Sequence, residues 1–519
     1  MYSPFVYPDN MRSRLISTTM NKTASCILAQ MQSLLIENDT EAFIIGGAVR
    51  NIIAGHNKTD IDIAVKGNAL VIGQQLADQL AAHYVVLDYA HGIVRLLPRG
   101  NNSWQIDIAT LQGTLEQDLN RRDFSINALA IAMTDMQLAE EQLTANVLDA
   151  GSGLEDLQDK TIRAVSQQIF RDDPIRLLRA VRLSSELDFV IDDQTIALMQ
   201  CDHAMIGSVA AERLRDELLR IFSHTNTYEA VDCMRRLGLL SSIIPELTPS
   251  YGLEQSAEHT WDVFHHSARS ITALDFILRH TEWKFCATDV LKNIPWRESF
   301  QSYFGAIVSP PATRRVLTKL AALLHDIAKP TTRIVNEFGK VRFYGHPQQG
   351  APIATKILER LRFSHNEIRF IEAIVRHHLR PVQMSENGET PTKRAVYRYC
   401  RDLEDAGVAT LYFSLADHLA TRGPNLERNN WDWHVNVVCN IADEYDKDQS
   451  TAKLPLLLNG NDLQNEFDLK PGRQLGQLLD ELREAQAAGE ISTRQQGLDY
   501  TRKLLEEGIP THNICQHLG

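Results

Sequence analysis

The run Phe43-Ile44-Ile45-Gly46-Gly47-Ala48-Val49-Arg50, followed by Asp60-Ile61-Asp62, decides how this chain is read. A short apolar strand ending in two glycines lets backbone approach a phosphate, and Arg50 adds a cation for it. In a strand over Ile61–Val65 side chains alternate, so Ile61, Ile63 and Val65 take the core face and Asp60 and Asp62 share the other. Asp107, between Ile106 and Ile108, also points away from the apolar side. Three acids on adjacent strands suit two metal ions about 4 Å apart, an arrangement of phosphoryl and nucleotidyl transfer. Magnesium is the expected ion, because it takes carboxylates together with substrate phosphates.

Working outward, the pattern predicts helices over Ala48–Ala54 and Val71–Ala82 and strands over Tyr84–Leu87, Ile93–Leu97 and Trp104–Ala109. Beyond about residue 150 strand signals vanish and helical periodicity runs to the end. The expected class is therefore α+β, a mixed sheet with helices followed by all-α segments. Arg121, Arg122 and Asp123, with Asn127 one helical turn on, form a set able to grip a sugar and a triphosphate.

At 519 residues the chain is too long for one core, and 44% apolar with 23% charged residues reads as globular. No apolar run approaches the roughly 18 residues that span a bilayer. The opening MYSPFVYPDNMRSRL lacks the greasy core of a signal peptide. Seven cysteines without CxxC spacing predict reduced thiols in a cytoplasmic protein, with neither a disulfide framework nor a zinc knuckle. The net charge of −13 counts against nucleic acid only as a whole-chain figure, since a partner feels the local field.

One segment is locally basic. Asp172-Asp173-Pro174-Ile175-Arg176 opens a helix, with Asp173 expected at the N-cap and Pro174 in the first turn. Arg176, Arg179 and Arg182 then form a ridge at three-residue spacing. Asp173 and Arg176 face the same way. Cytosine and adenine each present an amine beside an unprotonated ring nitrogen, which a carboxylate and a guanidinium match. Uracil and guanine present a carbonyl beside an N–H and mismatch both. One such pair is able to accept CTP and ATP and reject UTP and GTP. The plainer reading of the same segment is a capped amphipathic helix with a solvated arginine face.

GGAVR…DID, RRDFSINALA and DDPIRLLRAVRLSSELDF together resemble the class II tRNA nucleotidyltransferases and bacterial poly(A) polymerases of the polymerase-β-like superfamily. The resemblance implies a catalytic head, a helical neck that reads the nucleotide, and a helical body and tail that hold tRNA. It divides the chain into an extension over 1–24, a head over 25–150, a neck over 151–250, an HD domain over 251–425 and a tail over 426–519. Asp60, Asp62 and Asp107 would be catalytic, with Mg²⁺ on Asp60 and Asp62. Gly46, Gly47, Arg50, Arg121, Arg122, Asp123, Asn127, Asp173, Arg176, Arg179 and Arg182 would bind nucleotide. Two positions depart from the family: Asn51 stands where Asp is usual, and Asp172 where Glu is usual. The implied activity is template-independent addition of the 3′-terminal CCA of tRNA from CTP and ATP. Poly(A) synthesis, or addition of CC only or A only, share these motifs.

A second constellation lies downstream: His266, His325-Asp326, His346, His377-His378 and Asp417. Its order, H…HD…H…HH…D, resembles HD-superfamily metal phosphohydrolases. Imidazoles with carboxylates suit Ni²⁺, Mn²⁺ or Fe better than magnesium. The resemblance to nucleotidyltransferases with an HD body implies an additional phosphodiesterase or phosphatase activity. An HD phosphohydrolase whose head is non-catalytic is the alternative of another class, and an RNA-binding chaperone a third.

Overall fold

The structure is a computed structural model that describes residues 11–55, 60–100, 104–286, 288–385, 390–451 and 456–507. It divides into two compact units, residues 1–209 with 236–242, and residues 210–235 with 243–519. The ends of the expected extension and tail, 1–10 and 508–519, lie outside the described residues.

The first unit is built on one mixed sheet whose strands are β1 (Arg12–Thr19), β2 (Ala42–Ile45), β3 (Asp60–Val65), β4 (Ala82–Asp88), β5 (Ile93–Pro98), β6 (Gln105–Thr110), β7 (Leu129–Ala132), β8 (Gln137–Ala139) and β9 (Gln142–Asp149). Their order is β1-β9-β7-β2-β3-β6-β5-β4, with β8 beside β9. All pairs are antiparallel except β3 with β6. β2 is buried at every position, which is why it reads as an unbroken apolar run. On one face Ile44, Ile61, Ile63, Val65, Ile106 and Ile108 pack with Leu28, Met31 and Leu76 from the helices Lys22–Glu37 and Ala69–Gln79. On the other, Phe43, Ile45, Ala64 and Ala130 join Leu115 and Leu119 in a smaller cluster. Asp60 and Asp62 lie on this second face, in line with Ala64, where the apolar cover ends.

The structure differs from the sequence reading in several details. Strands recur beyond residue 150 as short two-stranded ladders, among them Thr161–Ile162 parallel to Val190–Ile191. The helix expected over Val71–Ala82 spans Ala69–Gln79, because Ala81 takes a left-handed conformation (φ 49°) and Ala82 begins β4. Part of the expected N-terminal extension, Arg12–Thr19, forms the edge strand of the sheet. Helices follow to residue 209, among them Ile169–Asp172 and Arg176–Leu187.

The second unit is helical, with two short two-stranded ladders, Ile307–Ser309 with Ala312–Thr313 and Arg333–Val335 with Val341–Phe343. Its centre is the bundle of Val263–Ile277, Arg314–Leu324, His365–His377 and Gly407–Arg422. Gly407–Arg422 is apolar nearly all round and packs as a core helix. Within this bundle Asp275 is fully buried between Lys319 (2.7 Å) and Arg315 (2.9 Å). Burial pushes the Lys319 ammonium down to about 8, against the pull of Asp275. Asp275→Ala leaves both cations without their anion, so we expect a loss of about 3–5 kcal/mol, read as a lowered unfolding midpoint. An unchanged midpoint would mean that the bundle does not depend on this pair.

Candidate active sites

In the first unit the parallel register of β3 and β6 pairs Asp62 with Asp107 and Asp60 with Gln105. Asp62 and Asp107 are therefore lateral neighbours, as the alternation implied. Asp107 is held in a bidentate pair by Arg95 of β5, Nε–Oδ1 2.8 Å and Nη2–Oδ2 2.8 Å. Asp60 and Asp62 make no ion pair with any described residue. Burial, then the neighbouring Asp107 carboxylate, raises the Asp62 carboxyl to about 6, with Arg122 pulling the other way. A pair of carboxylates this crowded and short of cations suits a divalent ion, so the donor set fits the expected magnesium.

Around them the glycine turn is used as the sequence suggested. Gly46 has φ 69°, and a Cβ there would lie 2.7 Å from Nη1 of Arg122. Arg122 thus lies against the turn, its Nη2 on Asp118 at 3.1 Å. Gly47 opens the helix Gly47–Ile53. Arg50 is buried, donating to Oδ1 of Asn127 (2.6 Å) and of Asn51 (3.3 Å). Burial lowers its pKa, and Glu186 is the strongest opposing charge, ahead of Asp123 and Asp62. Asn51 therefore keeps an acceptor for Arg50 but no charge. The compensating charge comes from elsewhere in the unit.

Asp123 is buried and accepts from Asn127 (2.9 Å), Arg179 (3.1 Å) and the amide of Phe124 (2.8 Å). Burial pushes its carboxyl up, but Arg179 and Asn127 more than reverse this, leaving it below the usual carboxylate range. Asp123, Asn127, Arg50 and Arg179 therefore form one connected network, with Asp123 at its centre and away from solvent. Arg176 donates to the carbonyls of Arg121 (2.9 Å) and Ile169 (3.3 Å), and the Arg121 side chain is exposed. Arg182 pairs with Glu186 at 2.8 Å. The expected N-cap at Asp173 is corrected: the helix starts at Arg176 with Ile175 as its cap, without a side-chain capping bond. Asp173 instead ends Ile169–Asp172 in an extended conformation, because the Pro174-Ile175 turn intervenes.

The second unit gathers the other constellation at one buried point. Nε2 of His266 lies 2.9 Å from Asp417 and 3.4 Å from Asp326. Nε2 of His325 lies 3.1 Å from Asp326, and that of His346 3.2 Å. The Nε2 atoms of His266 and His325 are 3.3 Å apart, as are those of His346 and His378. Nδ1 of His325, His346 and His378 each sits 2.8 Å from a carbonyl, of Ala322, Phe343 and Val375. Those bonds place the Nδ1 proton outward and turn an Nε2 lone pair inward, as in metal-ligating histidines. Lone pairs facing carboxylate oxygens repel unless a cation lies between, so the donor set fits a metal. Asp326 belongs to both candidate triads, His266–His325–Asp326 and Asp326–His346–His378. Without a metal, burial opposes charge on His325, but Asp326 and Asp417 push it up to about 10.

His377 is a correction. Consecutive helical residues point about 100° apart, and only His378 reaches the centre. Burial and Arg380 lower the His377 ring to about 4. Sequence reading missed Lys329, whose Nζ lies 2.6 Å from Asp326 and 2.6 Å from Gln255. Its place three residues after Asp326, one turn on, was the available signal. A cavity of about 450 Å³ opens from the centre, walled by His259, Lys329, Arg342, Phe343, Arg422 and Trp433 among others.

Comparison with known proteins agrees with this two-centre layout. The poly A polymerase head domain family matches residues 42–114 and 105–163, the probable RNA and SrmB-binding site of polymerase A residues 188–251, and the HD domain residues 298–422. An A-adding tRNA nucleotidyltransferase from Deinococcus radiodurans is 29% identical over 90% of this chain and 96% of its own. A CC-adding tRNA nucleotidyltransferase from Thermus thermophilus is 28% identical over 91% and 97%. Among solved structures, a CCA-adding enzyme with ATP superposes with a TM-score of 0.59 at 19% identity, covering 94% of this chain and 95% of that one. The Thermotoga maritima CCA-adding enzyme complexed with tRNA gives 0.55 at 19% identity, covering 94% and 99%. Both families imply a divalent metal. The matched domains and the near-full-length relatives show a chain that carries a poly A polymerase head domain followed by an HD domain and is similar along most of its length to tRNA nucleotidyltransferases.

Proposed function

We propose that this protein is a template-independent nucleotidyltransferase that builds or repairs the 3′-terminal CCA of tRNA from CTP and ATP. The observation that carries the reading is the Asp60–Asp62 pair, without cation partners, beside Arg122 on the Gly46–Gly47 turn. Structural neighbours named CCA-adding enzymes, and relatives named A-adding and CC-adding tRNA nucleotidyltransferases, support it. Asp60 and Asp62 hold Mg²⁺, and Asp107, tied to Arg95, fixes the position and charge of Asp62. A divalent cation held there would supply Lewis-acid chemistry, lowering the pKa of the terminal RNA hydroxyl and offsetting the negative charge of pyrophosphate. Arg122 meets the triphosphate over the glycine turn, and the buried Arg50 and Asp123 keep Asn127 and Arg179 in place for the sugar. Asp173 and Arg176 read the pairing edge of the base, Arg176 being anchored through two carbonyls with N–H donors to spare.

The head, which includes the edge strand Arg12–Thr19 and runs to 150, the neck over 151–250, the HD domain over 251–425 and the tail over 426–519 divide these tasks. No helix among the described residues is long and apolar enough to cross a membrane, and we place the activity in the cytoplasm. The histidine centre takes a transition metal (Ni²⁺, Mn²⁺ or Fe) and hydrolyses phosphate esters. One observation favours a narrower second reading. Four relatives that match along nearly the whole chain are named A-adding or CC-adding tRNA nucleotidyltransferases.

The base-reading step is tested by pyrophosphate release with each of the four NTPs on tRNA lacking its end. Asp173→Ala is expected to narrow the preference for CTP and ATP over UTP and GTP by about tenfold or more, since a mismatched base contact is worth roughly 1–3 kcal/mol. Unchanged selectivity would remove Asp173 from base reading.

A further inference from the structure

The hairpin Arg333–Val335 with Val341–Phe343 is the least expected surface of the second unit. It is a two-stranded ladder with no third strand among the described residues. Ile334 (52% exposed), Val335 (49%), Phe338 (79%) and Tyr344 (46%) stand in solvent along it. Its tip is nevertheless ordered. The Asn336 side chain accepts from the amides of Phe338 (3.1 Å) and Lys340 (2.9 Å), and Gly339 takes φ 72°. Phe338 is thus held outward by a built turn.

Interleaved with these apolar groups are Arg333, Lys340 and Arg342, none of which forms an ion pair with a described residue, against a single acid, Glu337. The strand Val341–Phe343 also forms a wall of the cavity above the histidine centre, lined further in by Lys329, paired with Asp326 at 2.6 Å, and Arg422, 3.5 Å from Glu258. Lys329 Nζ lies 5.3 Å from the Phe343 ring centroid, and the chain runs on through Tyr344 and Gly345 to His346 itself. Exposed aromatic rings alternating with cations, leading to a phosphate-directed metal centre, match single-stranded nucleic acid, whose bases stack and whose backbone is anionic.

We propose that this hairpin is the landing surface for a single-stranded RNA end that the histidine centre acts upon. Unpaired bases stack on Phe338 and Tyr344, and Arg333, Lys340 and Arg342 take the backbone phosphates. The terminal phosphate ester then enters the cavity along the Val341–Phe343 wall. The assignment rests on reading the histidine centre as a phosphoester site, and its test separates the two.

The full-length chain loaded with Mn²⁺ is given two substrates, bis-p-nitrophenyl phosphate and a single-stranded RNA ending in a 2′,3′-cyclic phosphate. The variant is Phe338→Ser with Lys340→Glu, both outside the cavity wall. Its KM for RNA is expected to rise about tenfold or more, the worth of one lost stacking contact, with kcat and turnover of the small ester unchanged. An unchanged KM for RNA, or an equal loss on both substrates, would overturn the proposal. In parallel, RNA carrying 4-thiouridine near its 3′ end is photo-crosslinked and the adduct mapped. Label on residues 333–344 supports the surface, and label elsewhere only overturns it. If the unaltered protein cleaves neither substrate, the phosphoester reading fails and the crosslink alone decides the surface. Dimers that Phe338→Ser dissolves would assign the face to a second copy and overturn the RNA assignment.

Discussion

Asp62→Asn is expected to lower nucleotidyl transfer to about a thousandth of its starting rate. The substitution preserves shape and removes one of two carboxylates that lack cation partners, beside a partner strand whose own acid is already committed. Loss of a metal's charge stabilisation is worth several kcal/mol, and each 1.36 kcal/mol is about tenfold in rate. Asp107 cannot take over, since Arg95 holds both of its oxygens at 2.8 Å. For the same reason Asp107→Asn should cost less. If it proves as severe, Asp107 binds metal directly and the Arg95 pair opens during the reaction. Single-turnover incorporation of labelled CMP and AMP measures both.

Asp326→Ala has the largest expected effect in the second unit. Asp326 meets His266, His325, His346 and Lys329, so its removal strips both candidate triads at once. Metal content of the purified chain, read by elemental mass spectrometry, should fall to background, and hydrolysis of bis-p-nitrophenyl phosphate should go with it. Lys329 loses its anion while buried, a cost of about 3–5 kcal/mol. Asp326→Asn keeps the volume, and so separates metal loss from misfolding. Nucleotidyl transfer should persist in both variants, since its acids belong to the other unit. Metal retained at the original stoichiometry would contradict the ligand assignment.

Much of the head was legible because β alternation is strict. Ile61, Ile63 and Val65 buried on one face leave Asp60 and Asp62 no other side. Partnership across strands was not legible. Arg95 meets Asp107 only once the register of β5 on β6 is known, although buried Val94 and Leu96 already turned Arg95 to the acid face. Asn51 looked anomalous as a lost charge, and its amide proves to be an acceptor for Arg50. In the second unit the order of the histidines was readable, but the choice between His377 and His378 depends on where the helix His365–His377 points its last turn. The hairpin at 333–343 escaped notice because three-residue strands carry too little pattern to stand out in a helical stretch.

The most direct measurement gives the protein four tRNA ends, stopping at the discriminator base, C, CC and CCA, with each NTP supplied singly and in pairs. The expected result is CMP on the first two ends, AMP on the third, nothing on the complete end, and no use of UTP or GTP. Long AMP tails on arbitrary RNA, or no incorporation on any of the four ends, would contradict it.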